Sequence, residues 1–365
     1  MAGSSPDQPS DRVRLVVLFG GQSAEHDVSC VTARHVLAAA SADRYDIDAI
    51  GITRQGSWVR TDAAAMLQSG TSPEALPESI PARGDLVEPS TVIQADTAPI
   101  VVLPLLHGPM GEDGTVQGLL DLADVPYVGT GVLGSALCMD KAMAKQAAAS
   151  FGIPQVPWRT LHVDDLLALD APALLAELGP VVFVKPANMG SSVGVHRVES
   201  ADELVPALHA AAEYDEWIVV EQGVDAREIE VGVLGNRRHE ASLPGEIVPG
   251  DEFYSYDDKY HDGVAQTVVP ADLTPEQSDE VRALACRAAA ALRVEGLARV
   301  DFFLEEDGRG FLLNEINTMP GFTPISMFPK LWEATGLAYP ALIDRLVQLA
   351  VERHERRSSH RSTAH

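Results

Sequence analysis

Residues 298–327, ARVDFFLEEDGRGFLLNEINTMPGFTPISM, constrain the fold of this chain more than any other stretch. Apolar segments at 297–304 and 310–317 flank Glu305, Glu306, Asp307, Gly308 and Arg309, a polar run with the Gly and Asp that reverse a chain, so a β-hairpin is predicted. Side chains alternate faces along a strand, so Arg299, Asp301 and Phe303 share one face, and Leu313, Glu315 and Asn317 share another. A hairpin centred near Gly308 sets Asp301 opposite Glu315 and Arg299 opposite Asn317, with all four polar groups on one side of the ribbon. Like charges opposed across a ladder destabilise it unless water or a cation intervenes. Either this face is simply solvated or it holds an ion. Two carboxylates and an amide oxygen form an all-oxygen set that suits Mg2+ or Mn2+ and suits zinc poorly.

At 365 residues the chain has material for two or three domains. Its 27 Lys and Arg against 53 Asp and Glu give a net charge of -26, which argues against nucleic acid as a partner, because phosphate backbones select basic surfaces. An anionic small substrate would need a few Lys and Arg gathered in one cleft. Cys30, Cys138 and Cys286 have neither disulfide-framework nor metal-ligand spacing, which fits a reducing compartment. The start MAGSSPDQPSDRVR has no apolar core behind its charges, and no long apolar run occurs, so neither export nor membrane spanning is expected and the cytoplasm is the expected location.

Taken in order, residues 1–11 are polar and rich in Pro and Ser and are expected to be disordered. A strand at 14–19, the turn Gly20, Gly21, Gln22, Ser23, and a helix over 25–40 open the chain as a doubly wound α/β domain opens. Strands follow at 47–52 and 100–106, and 60–98 reads as a surface insertion. The segment HGPMGEDG leads into a helix at 115–123. Gly129, Gly131 and Gly134 form G-x-G-x-x-G before a helix at 135–151, but the acidic residue that a dinucleotide's ribose requires about 20 residues later is missing. Lys141 and Lys145 lie four apart on one helix face, which by itself reads as a solvated basic face.

The segment VVFVKPANMGSSVGV is a β-branched strand ending in Lys185, then a loop of small residues returning into a strand. Such a loop is either a Gly-rich hairpin or a phosphate cradle, where backbone N–H groups close over oxygens and the Lys supplies charge. It is no Walker loop, since it joins two strands instead of opening a helix. Strands follow at 217–221 and 228–233. Residues 245–270, rich in Tyr, Asp and Gly, read as a long functional loop. A helix at 274–292, the hairpin, a helix at 339–353 and a basic, Ser-rich tail at 354–365, expected to be disordered, complete the chain.

In this order, GGQSAEHDVS, HGPMGEDGTVQG, MDK, VKPANMGSSVGV, FYSYDDKY and NEINTMPGFTPISM resemble the D-alanine-D-alanine ligase family, over about residues 13–349. The resemblance implies an ATP-grasp fold. An N-terminal doubly wound α/β domain (1–136) would precede two α+β lobes that clamp ATP, the central one at 137–222 and the C-terminal one, with the metal site, at 223–353. It further implies ligation of two D-alanines through a D-alanyl phosphate, giving ADP and phosphate, for peptidoglycan precursors.

By match to the family's motifs, Lys141, Lys185 and Ser192 would hold the nucleotide's phosphates, Glu221, Gln222 and Val224 would read adenine, and Glu228 would take the ribose. Asp301, Glu315 and Asn317 would hold two Mg2+ (or Mn2+) ions. Arg299 and the N–H of Gly321 would clamp the developing oxyanion. Glu25, near His107, would bind the first D-alanine's ammonium and would link to Ser191 and Tyr260 as a hydrogen-bonded triad. Lys259, Ser326 and Met327 would receive the second D-alanine, under a lid with Tyr254 and Tyr256. Tyr260 is present where relatives that make D-alanyl-D-lactate lack it, which favours an amine nucleophile. Gln222 stands where many relatives carry Lys. A homodimer is implied as well.

Other readings are a same-fold ligase for D-serine or D-lactate, a nucleotide binder without catalysis, and a Rossmann-type oxidoreductase resting on Gly129, Gly131 and Gly134. The last explains nothing after residue 150. The full set of Arg299, Asp301, Glu315 and Asn317 argues against a mere binder.

Overall fold

The computed structural model describes residues 12–62, 85–94, 99–248 and 266–361. The first sheet contains β1 (Val13–Gly20), β2 (Tyr45–Ile52), β3 (Trp58–Thr61), β4 (Asp85–Leu86) and β5 (Ile100–Pro104), in the order β4-β3-β2-β1-β5. The central strand β1 runs parallel to β2 and β5, and β3 and β4 extend the edge antiparallel. From Leu15 to Phe19 β1 is continuously apolar because a central parallel strand is covered on both faces. Leu15, Val17 and Phe19 face Cys30, Ala33 and Val36 of α1 (His26–Ala39). Val16, Leu18 and Val102 face the other way. They pack with Val92 of α2 (Pro89–Val92) and with Val116 and Leu120 of α3 (Thr115–Leu122). The expected insertion at 60–98 thus contains β4 and α2, and 63–84 and 95–98 lie outside the described residues.

The single helix expected over 135–151 is two, α4 (Val132–Met139) and α5 (Lys141–Ser150). Asp140 breaks it: its backbone is extended and its carboxylate accepts the Met143 N–H at 2.9 Å, a helix N-cap. The second sheet, in the order β6-β9-β7-β8, comprises β6 (Trp158–His162), β7 (Val182–Pro186), β8 (His196–Val198) and β9 (Trp217–Gln222), all antiparallel. Leu174 and Leu178 of α6 (Ala171–Leu178) and Leu204 and Leu208 of α7 (Ala201–Ala212) cover the face bearing Val182, Val184, Ile218 and Val220. The opposite face carries Lys185 and Glu221 by alternation. Ala142 of α5 packs on that side, against Val219.

The third sheet is antiparallel, β13-β12-β10-β14-β15, with β11 paired to β10. Its strands are β10 (Arg227–Gly235), β11 (His239–Ala241), β12 (Gly245–Val248), β13 (Gln266–Val268), β14 (Gly296–Glu305) and β15 (Gly310–Asn317). Helix α8 (Pro275–Ala291) begins with the capping box of Thr274 and Gln277 and buries Val281, Leu284 and Ala288 under Ile229, Val231 and Val300. The stretch 245–270 is less irregular than its composition indicates: its ends, β12 and β13, pair with each other, and 249–265 lie outside the described residues.

Two helices follow, α9 (Met327–Ala334) and α10 (Tyr339–Arg361). The tail expected to be disordered from 354 is helical through Arg361. Leu342, Ile343, Leu346 and Val347 of α10 join the core shared by β5 and α1, so this last helix packs on the first layer. Arg353 is 2% exposed. Its guanidinium lies over the Tyr127 ring at 4.1 Å and donates to the carbonyls of Tyr127 (2.8 Å) and Gly129. Arg357 grips Asp121 at 2.9 Å. These bonds anchor the segment with the G-x-G-x-x-G pattern. Gly129 has φ +101°, and a Cβ on Gly134 would fall 2.6 Å from the Arg293 carbonyl. The glycines therefore let this segment lie against the turn before β14, a packing role in place of a dinucleotide cradle.

Candidate active site

The loop after β1 is tied to the end of β5. The Ser29 hydroxyl accepts the Gly20 N–H at 2.8 Å and donates to the Leu105 carbonyl, and the Ser23 hydroxyl donates to the His107 carbonyl at 2.8 Å. Glu25 thereby stands at the mouth of α1 without capping it by its side chain. Its carboxylate instead accepts the Ser191 hydroxyl at 2.6 Å, from the loop after β7. Gly108 makes room: a Cβ there would lie 3.1 Å from the Glu25 carboxylate, and its φ is +72°. Ser191 and Ser192 both have positive φ, +50° and +58°, a costly backbone for serine that concentrates at functional loops.

His107 is buried. Its Nδ1 lies 3.0 Å from the Met319 carbonyl, and its Nε2 has no hydrogen-bond partner among the described residues. Burial outweighs the attraction of Glu25 and holds its pKa down, so it is neutral. Glu112 accepts the Gly108 N–H at 2.7 Å, and burial together with the negative Glu25 pushes its pKa up to about 8. The spacing within HGPMGEDG offered no role for Glu112; its burial came from folding.

The cations gather on the face of the second sheet away from α6 and α7. Lys141 donates to the Met189 carbonyl and lies 3.9 Å from Glu315, so it bridges the small-residue loop and the hairpin. Lys185 reaches Glu221 at 3.0 Å, because the register pairs Lys185 with Val219 and makes Glu221 its diagonal neighbour. Lys145 is no solvated surface charge. Its side chain is 3% exposed, and its ammonium sits 3.3 Å from the other oxygen of Glu221. Burial opposes ionisation of Glu221, but the two ammoniums more than offset it and hold the carboxyl at about 2. Glu221 is thus bound by both its oxygens to lysines. Gln222 turns its amide away, donating to the Leu178 carbonyl at 2.9 Å, and its own N–H is used by Pro157. Val224 follows in the connection to β10, and Glu228 lies on β10, where its charge acts on Lys185.

The hairpin register pairs Asp301 with Glu315 and Arg299 with Asn317, as the spacing requires, with a bulge after Asp301. A third strand completes the row, because Glu230 pairs with Asp301 across β10 and β14. Glu230 escaped the sequence reading, although in Glu228-Ile-Glu230 the alternation puts it on the face of Glu228. Arg299 holds Asp301 through two bonds, 2.8 and 2.7 Å, and lies 3.1 Å from Glu230. Asn317 accepts the Met319 N–H at 3.0 Å. Among the described residues no three acidic, His or Cys side chains converge as a ready cation cage; Asp301 is turned to Arg299.

Gly321 and Ser326 face each other in the loop after β15: a Cβ on Gly321 would sit 3.1 Å from the Ser326 hydroxyl, which also lies 2.8 Å from that of Thr323. The Met327 side chain is core, packed with Ile247 and Leu331, so its backbone at the start of α9 is the part left for a ligand. Tyr254, Tyr256, Lys259 and Tyr260 lie outside the described residues.

A mixed α/β sheet layer followed by two antiparallel α+β lobes, meeting where Lys141 approaches Glu315, defines an ATP-grasp protein. Residues 14–130 match the family model described as D-ala D-ala ligase N-terminus, and 147–348 match that described as D-ala D-ala ligase C-terminus. The chain is 45% identical over 351 residues to the D-alanine--D-alanine ligase of Thermoanaerobacter sp. (strain X514), covering 94% of this chain and 98% of that protein. With the D-alanine--D-alanine ligase of Listeria monocytogenes serotype 4b the identity is 46% over 360 residues, covering 94% and 96%. Among solved structures, the D-alanine-D-alanine ligase from Coxiella burnetii superposes with TM-score 0.83 at 34% identity, covering 97% of this chain and 99% of that one. The VanG D-Ala:D-Ser ligase of Enterococcus faecalis gives 0.79 at 30% identity, covering 93% and 99%. The chain belongs to the D-alanine-D-alanine ligase family.

Proposed function

We propose that this chain joins two D-alanines into D-alanyl-D-alanine, the dipeptide of peptidoglycan precursors, with cleavage of ATP to ADP and phosphate. The observation that carries the reading is the bond from Ser191 to Glu25, which makes the small-residue loop and the amino-acid end of the first sheet two walls of one site. A carboxylate is a poor electrophile. Its oxygen attacks the terminal phosphorus of ATP, ADP leaves, and an acyl phosphate forms. The second D-alanine's amine then attacks the acyl carbon, loses a proton and expels phosphate.

In this reading Glu25, positioned by Ser191, receives the first ammonium, with His107 beside it. Lys141, Lys185 and the N–H groups about Ser192 receive the phosphates. The connection of Glu221, Gln222 and Val224 receives adenine, mainly through backbone, and Glu228 the ribose. Arg299 and the Gly321 N–H face the oxyanion of the tetrahedral intermediate, where fixed donors lower a barrier most. Lys259, Ser326 and the Met327 N–H receive the second carboxylate, and Tyr260 closes the site so that water does not consume the acyl phosphate.

The row Glu230, Asp301, Glu315, with Asn317 alongside, offers hard oxygen donors, three acids against the Arg299 guanidinium and the Lys141 ammonium, a negative excess that fits divalent cations. Asp301, Glu315 and Asn317 would hold two Mg2+ or Mn2+ ions, which when bound neutralise the transferred phosphoryl group. Among the described residues no helix is long and apolar enough to cross a membrane. A cytoplasmic homodimer of one N-terminal α/β domain and two ATP-grasp lobes completes the proposal.

The test is phosphate release from Mg-ATP by the purified protein with D-alanine, L-alanine, or D-alanine plus D-serine or D-lactate, with products weighed by mass spectrometry. Release dependent on D-alanine alone and yielding D-alanyl-D-alanine is expected. A mixed product in preference to it would move the second substrate, and ATP binding without release would sink the catalytic reading.

A further inference from the structure

One buried carboxylate, Glu221, is shared by two ammoniums, and the two are not equivalent. Lys145 Nζ lies 3.3 Å from one oxygen, with its side chain 3% exposed, and Lys185 Nζ lies 3.0 Å from the other, with its side chain 14% exposed. Lys145 comes from α5 and is closed in on its far side by the Trp158 ring, 5.6 Å away. Its ammonium makes no hydrogen bond to any described residue. Lys185 comes from β7 beside the small-residue loop and keeps an opening.

Charge counting makes the arrangement informative. A lone Lys185–Glu221 pair would already be neutral, and drawing Lys185 away would strand a buried carboxylate, which is strongly disfavoured. With Lys145 present Glu221 keeps a partner whatever Lys185 does. We infer that Lys145 is a positioning residue of the nucleotide site, holding Glu221 so that Lys185 can leave that carboxylate for a phosphate of the incoming nucleotide. The inference rests on the proposal above that Lys185 is a phosphate ligand. Lys145 itself never touches substrate. The resting cluster is a latch, with Lys185 parked on Glu221 until a stronger anion arrives. The low pKa of Glu221, about 2 with both lysines on it, agrees: the resting carboxylate is ionised.

The experiment measures affinity for a non-hydrolysable ATP analogue by calorimetry, with kcat and KM for ATP from D-alanine-dependent phosphate release. Wild type comes first: if it binds no nucleotide, the functional proposal fails before the latch is tested. In Lys145→Met, Lys185 becomes the only partner of Glu221, and nucleotide affinity is expected to fall about tenfold or more, as for loss of a charged contact, with KM for ATP rising more than kcat falls. Adding Glu221→Gln to Lys145→Met should restore most of the affinity by releasing Lys185. A merely structural Lys145 predicts the opposite, further loss in the double variant. Unchanged affinity in Lys145→Met, or no recovery in the double variant, overturns the inference. Should Lys145→Met not fold, the wild-type protein crystallised with the analogue decides: Lys185 should lie on phosphate and Lys145 on Glu221. Lys185 still on Glu221 in that complex would refute the latch.

Discussion

The Ser191 hydroxyl and the Glu25 carboxylate meet at 2.6 Å although 166 positions separate them in the chain. A hydrogen bond to an ionised group contributes about 1.5–3 kcal/mol. Ser191→Ala is therefore expected to raise KM for the first D-alanine at least roughly tenfold, with the fold unchanged by circular dichroism. Steady-state kinetics in varied D-alanine give the answer, and a KM within error of wild type would detach Ser191 from substrate binding.

Arg299 serves two ends, as counter-ion to Asp301 and Glu230 and as the proposed oxyanion clamp. Arg299→Ala should lower kcat by about 10²–10³-fold, the usual cost of a lost oxyanion donor, while ATP still binds. It should also destabilise the ligand-free protein by about 3–5 kcal/mol, because two buried carboxylates lose their partner. Stopped-flow turnover, analogue binding and urea denaturation separate these effects. Near wild-type turnover would remove the clamp.

Glu112 sets a slope in stability against pH. Its pKa in the folded chain, about 8, lies above the ordinary 4.5, so between these values the folded state holds a proton that the unfolded chain has released. Stability of the ligand-free protein should then fall as pH rises through that window and level off above it. Glu112→Gln should flatten the curve. Denaturant titrations across the window test this, and parallel slopes in the two proteins would contradict the burial argument.

Gly108 is held at φ +72° with Glu25 against it. Gly108→Ala introduces a left-handed alanine, which costs about 1–2 kcal/mol, and a methyl that displaces the carboxylate. The melting temperature should drop modestly and KM for D-alanine rise several-fold. A variant matching wild type in both would show that the loop relaxes freely.

The hairpin could be read from sequence because strand alternation and turn chemistry are local, and Asp301 and Glu315 therefore fell opposite each other as the spacing requires. The first strand and helix were legible for the same reason. The burial of Lys145 is not legible in the sequence, because helical spacing says which residues share a face but not what covers that face, and Glu221 covers it from 76 residues away. Glu230 and Glu112 were passed over since a lone acidic residue carries no signal until neighbouring strands or burial give it company. The break at Asp140 hid within a run of good helix formers, where one capping side chain outweighs propensity. The helix runs on past 353, where a basic, Ser-rich composition predicts disorder, because Arg356 and Arg357, which look like surface charge in the sequence, are met by Glu295 and Asp121.

The seating of α10 on β5 and α1 bears on how the protein is made. A ribosome delivers Val36, Val101 and Leu103 early and the residues that complete their core, Leu342, Ile343 and Leu346, almost last. The first layer thus spends nearly the whole of synthesis with part of its greasy side uncovered, and needs shelter from chaperones or neighbours meanwhile. A premature stop after residue 338 would spare every proposed ligand of ATP and D-alanine and still leave a product prone to clump.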